Sequence, residues 1–547
     1  MTADGDGRHA TAGGPTAAEE QGDTILAVAA KEACKLAELE EGKGVASIIA
    51  ACTASLDSNA AVRGDAVRAR RSNSAGHGVQ LDPKHAAQLE AARHPGLHHH
   101  FMLYHAFFAA AVGCNLVILA LTTSGVMQLG RINSGAVGLI VLSFSCLMRS
   151  ELFLTGLYWS SCALGRVAPC TLRAWLARVP FHAPGGLHSG CAVAGFAWEV
   201  VYAFQWWLLP VHGPGLTSSP LGLLASVTCI LLILLLAAML TLAIPAVRHR
   251  HHNSFELSHR YMGWSLVVVA WVHIWTAAAY FARYDARGQP LARPSSTAAV
   301  LLRDADLWCT VAITLLVFHP WLFVRRRVVT ATVPHPRSCL VLSGFSGHAP
   351  AGTAGRISTH WAGEWHSFAA VSGPRATGSA LAEAGSHAMV IAPAGDWTRA
   401  RVAEAAQLPQ PHATQVYVRL IRAPGFMYTT RMWDRIVVVA SGAGIAPVLP
   451  CVLQRTAASI YVLWIAARPE SFGGIRQVLE ESLGQGQFLI HDTSKEGRPD
   501  VLELTLRAVN EQEAQAMYIV SNLPLTYSVV RGCQAAGVPS YGAIWDS

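Results

Sequence analysis

Between residues 101 and 324 the chain comes in apolar runs long enough to cross a bilayer, and that succession limits its fold more than anything else it carries. The runs are 101–122, 134 to about 159, 189–210, 221–247, 259–280 and 307–324. A helical span needs about 20 mostly apolar residues, so a count of six spans is expected. Arg149 and Glu151 interrupt the second run. It either crosses whole, or stops at Met148 and continues as an interfacial helix. Basic residues set the orientation. Arg63, Arg68, Arg70 and Arg71 precede the first run, Arg166, Arg173 and Arg178 follow the second, Arg248 and Arg250 the fourth, and Arg325, Arg326 and Arg327 the sixth. The opposite loops carry fewer, although Arg283, Arg287, Arg293 and Arg303 share one of them. The positive-inside rule then predicts a multi-pass membrane protein with both termini cytosolic and the third and fifth runs parallel.

Composition agrees. Of 547 residues, 52% are hydrophobic and only 14% charged, which excludes an ordinary soluble enzyme. The twelve cysteines contain no CxxC pair and no Cys/His metal spacing, so neither a disulfide framework nor a zinc site is expected. The net charge of +7 is modest, and no nucleic-acid partner is expected. Residues 1–95 are rich in Ala, Gly, Asp, Glu and Arg, lack a signal-peptide core, and read as a disordered cytosolic tail.

The fifth run holds His259 and His273, 14 residues apart. That spacing puts both near one stripe of a helix, about 21 Å apart along its axis. Ionisable groups in membrane helices are costly and usually functional. The pair reads either as axial ligands for haem or as interfacial histidines bonded to backbone. His188 opens the third run, so His188 and His259 sit at the cytosolic mouths of parallel helices, placed to clamp one iron. Alone, His188 reads as a helix-entry residue. Fourteen residues beyond His188 stands Tyr202, so His273 lacks a histidine partner. Glu199 reads as a proton or substrate group, or as a buried hydrogen-bond acceptor. The runs at 98–100 and at His249, His251 and His252 read as solvated interfacial histidines.

After Arg327 the texture changes. Short strands at 328–333 and 338–343, Gly/Pro/Ser turns and no strong helix before about Trp397 suit a small β-barrel over 328–433. From 434 the pattern is α/β. A buried strand at 436–440 runs into Ser-Gly-Ala-Gly-Ile-Ala-Pro at 441–447, and a helix opens at 448. Glycines between strand and helix let backbone N–H groups approach a pyrophosphate. Further strands are expected at 460–466, with Arg468 just past its end, and at 516–521, ending on Ser521 and Asn522. Strands alternating with helices imply a parallel sheet.

Seven segments in order carry a resemblance: Gly-Arg-Ile-Ser at 355–358, Glu-Trp-His-Ser-Phe-Ala at 364–369, Gly-Asp-Trp-Thr at 395–398, Pro-Gly-Phe-Met at 424–427, the turn at 441–447, the run at 492–500, and the ending at 542–547. Over about residues 101–547 the chain resembles the ferric reductase and NADPH oxidase superfamily, and within it the TmpA-like integral membrane flavoproteins. The resemblance implies a multi-domain protein: a six-helix transmembrane bundle (96–327), then a ferredoxin-reductase-like module made of an FAD-binding β-barrel (328–433) and an NAD(P)-binding α/β domain (434–547). His366 and Phe368 fall in the flavin motif, His366 near the FAD phosphates and Phe368 on the isoalloxazine. Ser367 and Ala369 replace the family's proline and threonine. Gly395 and Thr398 fall beside the FAD diphosphate, or make an ordinary helix start. Gly442, Gly444 and Pro447 match the pyridine-nucleotide turn. Arg468 stands where a basic residue grips an adenosine phosphate, or is a surface arginine. Ser521 stands where the family has cysteine beside the nicotinamide. Trp545 either covers the flavin or is core.

The family's two-haem members carry two histidines on each of two helices. Here His188, His259 and His273 make one complete pair and leave a second haem without its ligands, and His105 and His319 read as structural. The implied function is a membrane-bound oxidoreductase. It would pass electrons from NAD(P)H through FAD and a haem b to a small-molecule or metal acceptor. The alternative is a membrane signalling or scaffold protein with degenerate redox sites.

Overall fold

The computed structural model describes residues 102–128, 133–208, 219–285, 289–374 and 381–543. The tail expected over 1–95, the histidines at 98–100 and Trp545 lie outside the described residues. The helical part comprises α1 (Met102–Thr123), α2 (Ser134–Leu147), α3 (Glu151–Val167), α4 (Cys170–Leu208), α5 (Pro220–Ala243), α6 (Pro245–Arg250), α7 (His252–Phe281), α8 (Thr297–Arg303) and α9 (Ala305–Leu322).

Among the described residues, α1, α5, α7 and α9 are by length and composition long and apolar enough to cross a membrane. Helices α2 and α3 qualify only as a pair bent by 65°, which makes up to five spans. Six spans were expected, and two of the six runs do not meet that criterion as single helices. The second run bends where Arg149 and Glu151 interrupt it, and Glu151 turns inward to become the first residue of α3, only 2% exposed. The third run is the end of a 39-residue helix that begins at Cys170 and not at Ser189. Glu199 and Gln205 dilute the apolar character of its far end, and it is not among the candidate spans. Its first half, read from sequence as a basic loop, is helical because it docks on the soluble part, burying Ala177 completely.

Helices α1 and α4 touch through their backbones. A Cβ on Gly186 would come 2.3 Å from the Tyr104 carbonyl oxygen, and one on Gly190 would come 2.8 Å from that of Phe108. Small residues four apart on one face are what allow so close a crossing.

The barrel starts at once after α9. Its strands are β1 (Val324–His335), β2 (Cys339–Ser346), β3 (Thr353–Ser358), β4 (His366–Val371), β5 (Ser386–Ile391), β6 (His412–Arg419) and the two-residue β7 (Ala423–Pro424). They are ordered β4-β5-β2-β1-β6-β3-β7, and β3 also pairs with β4, so six antiparallel strands close on themselves. Closure leaves no free sheet edge among those six. Arg325, Arg326 and Arg327, expected to flank the last span, lie on β1 opposite Val418, Tyr417 and Val416. Alternation puts Val329 and Ala331 inside with Leu340, Leu342, Ile357 and Met389. Helix α10 (Asp396–Ala406) lays Val402 and Ala405 on that core.

A parallel sheet of five strands follows, ordered β10-β9-β8-β11-β12. These are β8 (Arg435–Ser441), β9 (Ser459–Ala466), β10 (Phe488–Asp492), β11 (Ala516–Val520) and β12 (Ser540–Gly542). The connecting helices are α11 (Leu449–Leu453), α12 (Ile475–Ser482), α13 (Val501–Glu511) and α14 (Leu523–Ala535). Central β8 has Val437, Val438 and Val439 buried on both faces, as a parallel sheet covered by helices demands. Barrel then parallel sheet is the domain order expected of a ferredoxin-reductase-like module.

Candidate functional site

Strand order locates one site. Chain order runs outward from β8 to β9 and β10 on one side and starts afresh at β11 on the other, so β8 and β11 flank a topological switch point. Ligand crevices in open α/β sheets lie beyond the C-terminal ends of the strands at such a point. Ser441 ends β8 there with Gly442 just beyond it, and Ser521 follows the end of β11. Gly442 has φ of +52°, a value glycine adopts without strain, and its carbonyl accepts from the Trp464 indole at 2.9 Å. Gly444 lies so close to β11 that an added Cβ would sit 2.3 Å from the Val520 carbonyl oxygen. Pro447 follows, and the helix expected from 448 is a 3-10 turn over Gly442–Ile445 and then the five-residue α11.

The Ser521 hydroxyl is 2.6 Å from that of Ser441, a partner the sequence reading did not find. Arg468 sits past the end of β9, exposed, with φ of +50°. Its N–H donates to Asp492 at 3.0 Å. The Ser494 hydroxyl, then the N–H groups of Arg468 and Ser494, hold the Asp492 carboxyl down to about 2. That carboxylate fixes the loop carrying Arg468 beside the crevice.

The barrel residues also converge. Gly355 on β3 faces Phe368 on β4, and Ile357 faces His366. The Trp397 ring on α10 is stacked on His366 at 4.3 Å and parallel to Phe368 at 6.2 Å. Trp397 lay in the quoted Gly-Asp-Trp-Thr segment without being singled out. Thr398 closes the helix start: the Gly395 N–H donates to its hydroxyl at 2.9 Å, and the hydroxyl donates to the Gly395 carbonyl at 3.0 Å. The helix-start reading of Gly395 and Thr398 therefore accounts for that hydroxyl.

In the bundle, the His188 and His259 rings lie 6.4 Å apart, near perpendicular at 84°. His188 Nδ1 is 3.0 Å from the Ser145 carbonyl and 3.1 Å from its hydroxyl. Donation to a backbone carbonyl through one nitrogen leaves the other as the ligand atom, the usual arrangement of metal-binding histidine. Two metal–nitrogen bonds of about 2 Å, with half a ring at each end, bring the ring centres to roughly 6 Å. The observed separation of the ring centres is of that size. Phe255 stacks on His259 at 5.5 Å.

The same helix reaches the barrel. Asn253 donates to Asp396 at 3.3 Å, and Arg260 donates to the Gly363 carbonyl at 2.6 Å. Buried Glu151 meets Arg356 at 3.2 Å and Arg419 at 3.5 Å. The Arg419 guanidinium lies over Trp365 at 4.7 Å and over Trp321 at 5.4 Å. Helix α7 thus touches Asp396 in the 395–398 segment and Gly363 just before the 364–369 segment, from positions six residues before and one residue after His259.

His273 is placed differently, with both ring nitrogens in hydrogen-bond contact. Its Nδ1 is 3.0 Å from the Ala225 carbonyl and its Nε2 is 3.1 Å from the Tyr202 hydroxyl. Donation to a carbonyl forces Nδ1 to carry the proton, so Nε2 accepts from Tyr202 and no lone pair remains for a metal. Glu199 is buried nearby on α4. Among the described residues its Oε1 has no hydrogen-bond partner.

Residues 426–547 match a family model described as the C-terminal domain of adenylate-forming reductase 03009. Adenylate-forming reductase 03009 of Coprinopsis cinerea is 31% identical over 456 residues, 82% of this chain and 41% of its own length. Adenylate-forming reductase 06235 of the same fungus is 32% identical over 404 residues, 73% of this chain and 36% of its own length. The chain thus spans about two fifths of the length of the curated relatives it matches. Among solved structures, a flavohemoglobin from Malassezia yamatoensis with bound FAD and heme aligns at 12% identity and a TM-score of 0.32, covering 75% of this chain and 98% of its own. Ferredoxin-NADP+ reductase from Plasmodium falciparum aligns at 12% and 0.30, covering 41% and 96%. Likenesses of that size add nothing to the strand order itself.

Proposed function

We propose that the chain is an NAD(P)H-dependent flavin oxidoreductase built into a membrane, of the ferric reductase and NADPH oxidase type, with one haem b and not two. The observation that carries this reading is the close pair His188 on α4 and His259 on α7, with Asn253 and Arg260 of α7 bonded to Asp396 and Gly363 at the two segments read as the flavin motif. The relatives' name, reductase, agrees with it.

His366, Phe368 and Trp397 would hold FAD, with the N–H groups opening α10 near its phosphates. Gly442, Gly444 and Pro447 would hold the pyridine nucleotide, whose adenosine phosphate Arg468 would reach. His188 and His259 would hold the haem. When bound, FAD supplies the change from two-electron to one-electron chemistry, and haem iron supplies a one-electron carrier. The protein's share is placement. The Ser441–Ser521 bond clears a small, fixed floor at the switch point for the nicotinamide. Ser145 keeps His188 in the tautomer that presents Nε2. Glu151, held between Arg356 and Arg419, ties the start of α3 to strands β3 and β6. The acceptor would be a small molecule or a metal ion at the membrane, both termini lying in the cytosol.

The test is an optical spectrum of the purified full chain, followed by anaerobic titration with NADH and NADPH. A yellow protein with a reducible Soret band is expected. His188→Ala and His259→Ala should each abolish that band while leaving the flavin reducible by pyridine nucleotide. A folded but colourless protein would favour the scaffold reading, which the hydrogen-bonded Ser521 and His273 also suit. Full haem content in His188→Ala would remove the ligand assignment.

A further inference from the structure

A cavity of about 480 Å³ lies where the turn from α3 to α4 meets the parallel sheet. Its lining includes Arg166, Arg173, Arg431 and Arg455, against a single carboxylate, Asp434. It stands apart from the nucleotide crevice. Residues 431–434 lead into β8 and residues 455–458 into β9, so the cavity opens at the N-terminal edge of the sheet. Gly442 and Ser521 follow the ends of β8 and β11 at the opposite edge.

Among the described residues none of the four arginines forms an ion pair. Arg431 is held in place by donating to the carbonyls of Tyr428 at 2.9 Å and Ala351 at 2.7 Å. Arg173 lies over the Trp433 ring at 5.5 Å and donates to the Ala168 carbonyl, while its buried Nε has no partner. Arg166 reaches the Arg431 carbonyl at 3.3 Å. Folding therefore gathers four like charges around one space and leaves them uncompensated. Like charges held together raise the folded state's energy unless an anion joins them. The guanidinium fork matches phosphate oxygens two at a time, which a carboxylate of ordinary size does not exploit four times over. Next to the cavity the same turn exposes Leu164, Val167, Leu172 and Trp175, with Val167 84% open. Apolar side chains beside arginines are the composition of an interfacial helix that dips into the headgroup boundary.

We propose that this cavity binds a phosphate-bearing polyanion, either the headgroup of a phosphorylated lipid or a free polyphosphate. The exposed apolar residues favour the lipid headgroup. Occupancy would neutralise the seam between α3, α4 and the sheet, and so would strengthen the docking of the soluble part on the helices.

The experiment uses the full chain in detergent with NADP+ present, so that the crevice at Gly442 does not compete. Two probes are titrated: inorganic pyrophosphate, and short-chain phosphatidylinositol 4-phosphate in phosphatidylcholine micelles, with phosphatidylcholine alone as the blank. The variant is Arg166→Gln with Arg455→Asn. Both arginines are exposed, and asparagine tolerates the φ of +46° at position 455. A loss of about tenfold in affinity is expected, the removal of one or two charge-assisted hydrogen bonds. Arg476→Gln, which breaks only a surface pair with Glu480, should bind as the parent does. Tighter lipid than pyrophosphate binding assigns the headgroup, and the reverse assigns a free polyphosphate. Absence of binding by both probes, or affinity unmoved in the double variant or in Arg455→Asn alone, overturns the proposal.

Discussion

His387 shows how one side chain makes the barrel sensitive to acid. It is 4% exposed, stacks on Phe345 at 5.2 Å, and places Nδ1 2.9 Å from the Gly347 carbonyl. Burial first, then the Arg422 guanidinium and His348, push its pKa from 6.5 down to about 4, against the backbone acceptors that raise it. The folded barrel therefore keeps a neutral ring where the unfolded chain takes up a proton. The sign follows: the stability that depends on the neutral ring is complete above about pH 6.5 and is lost as pH falls towards 4. The slope is at most about 1.4 kcal/mol per pH unit. His387→Gln keeps an N–H for Gly347 and removes the proton uptake. Its denaturant midpoint should fall less between pH 7 and pH 5 than the parent's. Equal falls in both proteins would show that some other group carries the acid response. No sequence signal marked His387, because its neighbours come from β2 and from the loop after β6.

Elements were legible where one period dominates. Strands β1, β2, β8, β9 and β11 announced themselves by alternation or by buried runs such as Val437–Val439, and the glycine turn by its place between strand and helix. The first half of α4 was not legible. Its buried face meets the parallel sheet at Ala177, so no apolar run of membrane length covers it, and Pro180 and Pro184 lie within the helix. Ser521's bond to Ser441 joins residues 80 apart, and no local pattern reports it. The closeness of His188 and His259 was legible because both were expected at the mouths of two parallel helices, and their rings lie 6.4 Å apart. Gly186 and Gly190 are what hold α4 against α1 at that mouth, with His188 between them in sequence. Gly186→Val should therefore drive a side chain into the Tyr104 carbonyl and cost about 1–3 kcal/mol. A Cβ on Gly113 of α1 meets nothing within 4 Å, so Gly113→Ala should leave the midpoint unchanged or raise it slightly. Thermal unfolding in detergent distinguishes them, and equal midpoints for the two variants would refute the close-packing role.

At the scale of the whole molecule, the helical part and the reductase-like part are not beads on a string. One hydrophobic core contains Cys162 of α3 and Ala177 of α4 together with Trp433, Ile436, Val438 and Tyr541 of the sheet domain. Gly165 has no room for a side chain because Met432 fills the space, and the Tyr541 hydroxyl donates to the Ala174 carbonyl at 3.3 Å. A hinge at the single residue between α9 and β1 would open all of this, so the junction works as a fixed mount for whatever the barrel and the bundle carry. It follows that the soluble part should not keep its stability when cut free. A fragment of residues 324–547 uncovers Met432, Trp433 and Tyr541, each large enough that exposure costs about 1.5–3 kcal/mol. The fragment should unfold at a lower urea concentration than the same strands do in the full chain, followed by tyrosine and tryptophan fluorescence. Covering the face again by adding residues 150–190 back as a separate peptide should restore part of the loss. A fragment as stable as the full chain would mean that the shared core is contact without energy, and that the geometry between the flavin-motif segments and His259 is held by Glu151, Arg260 and Asn253 alone.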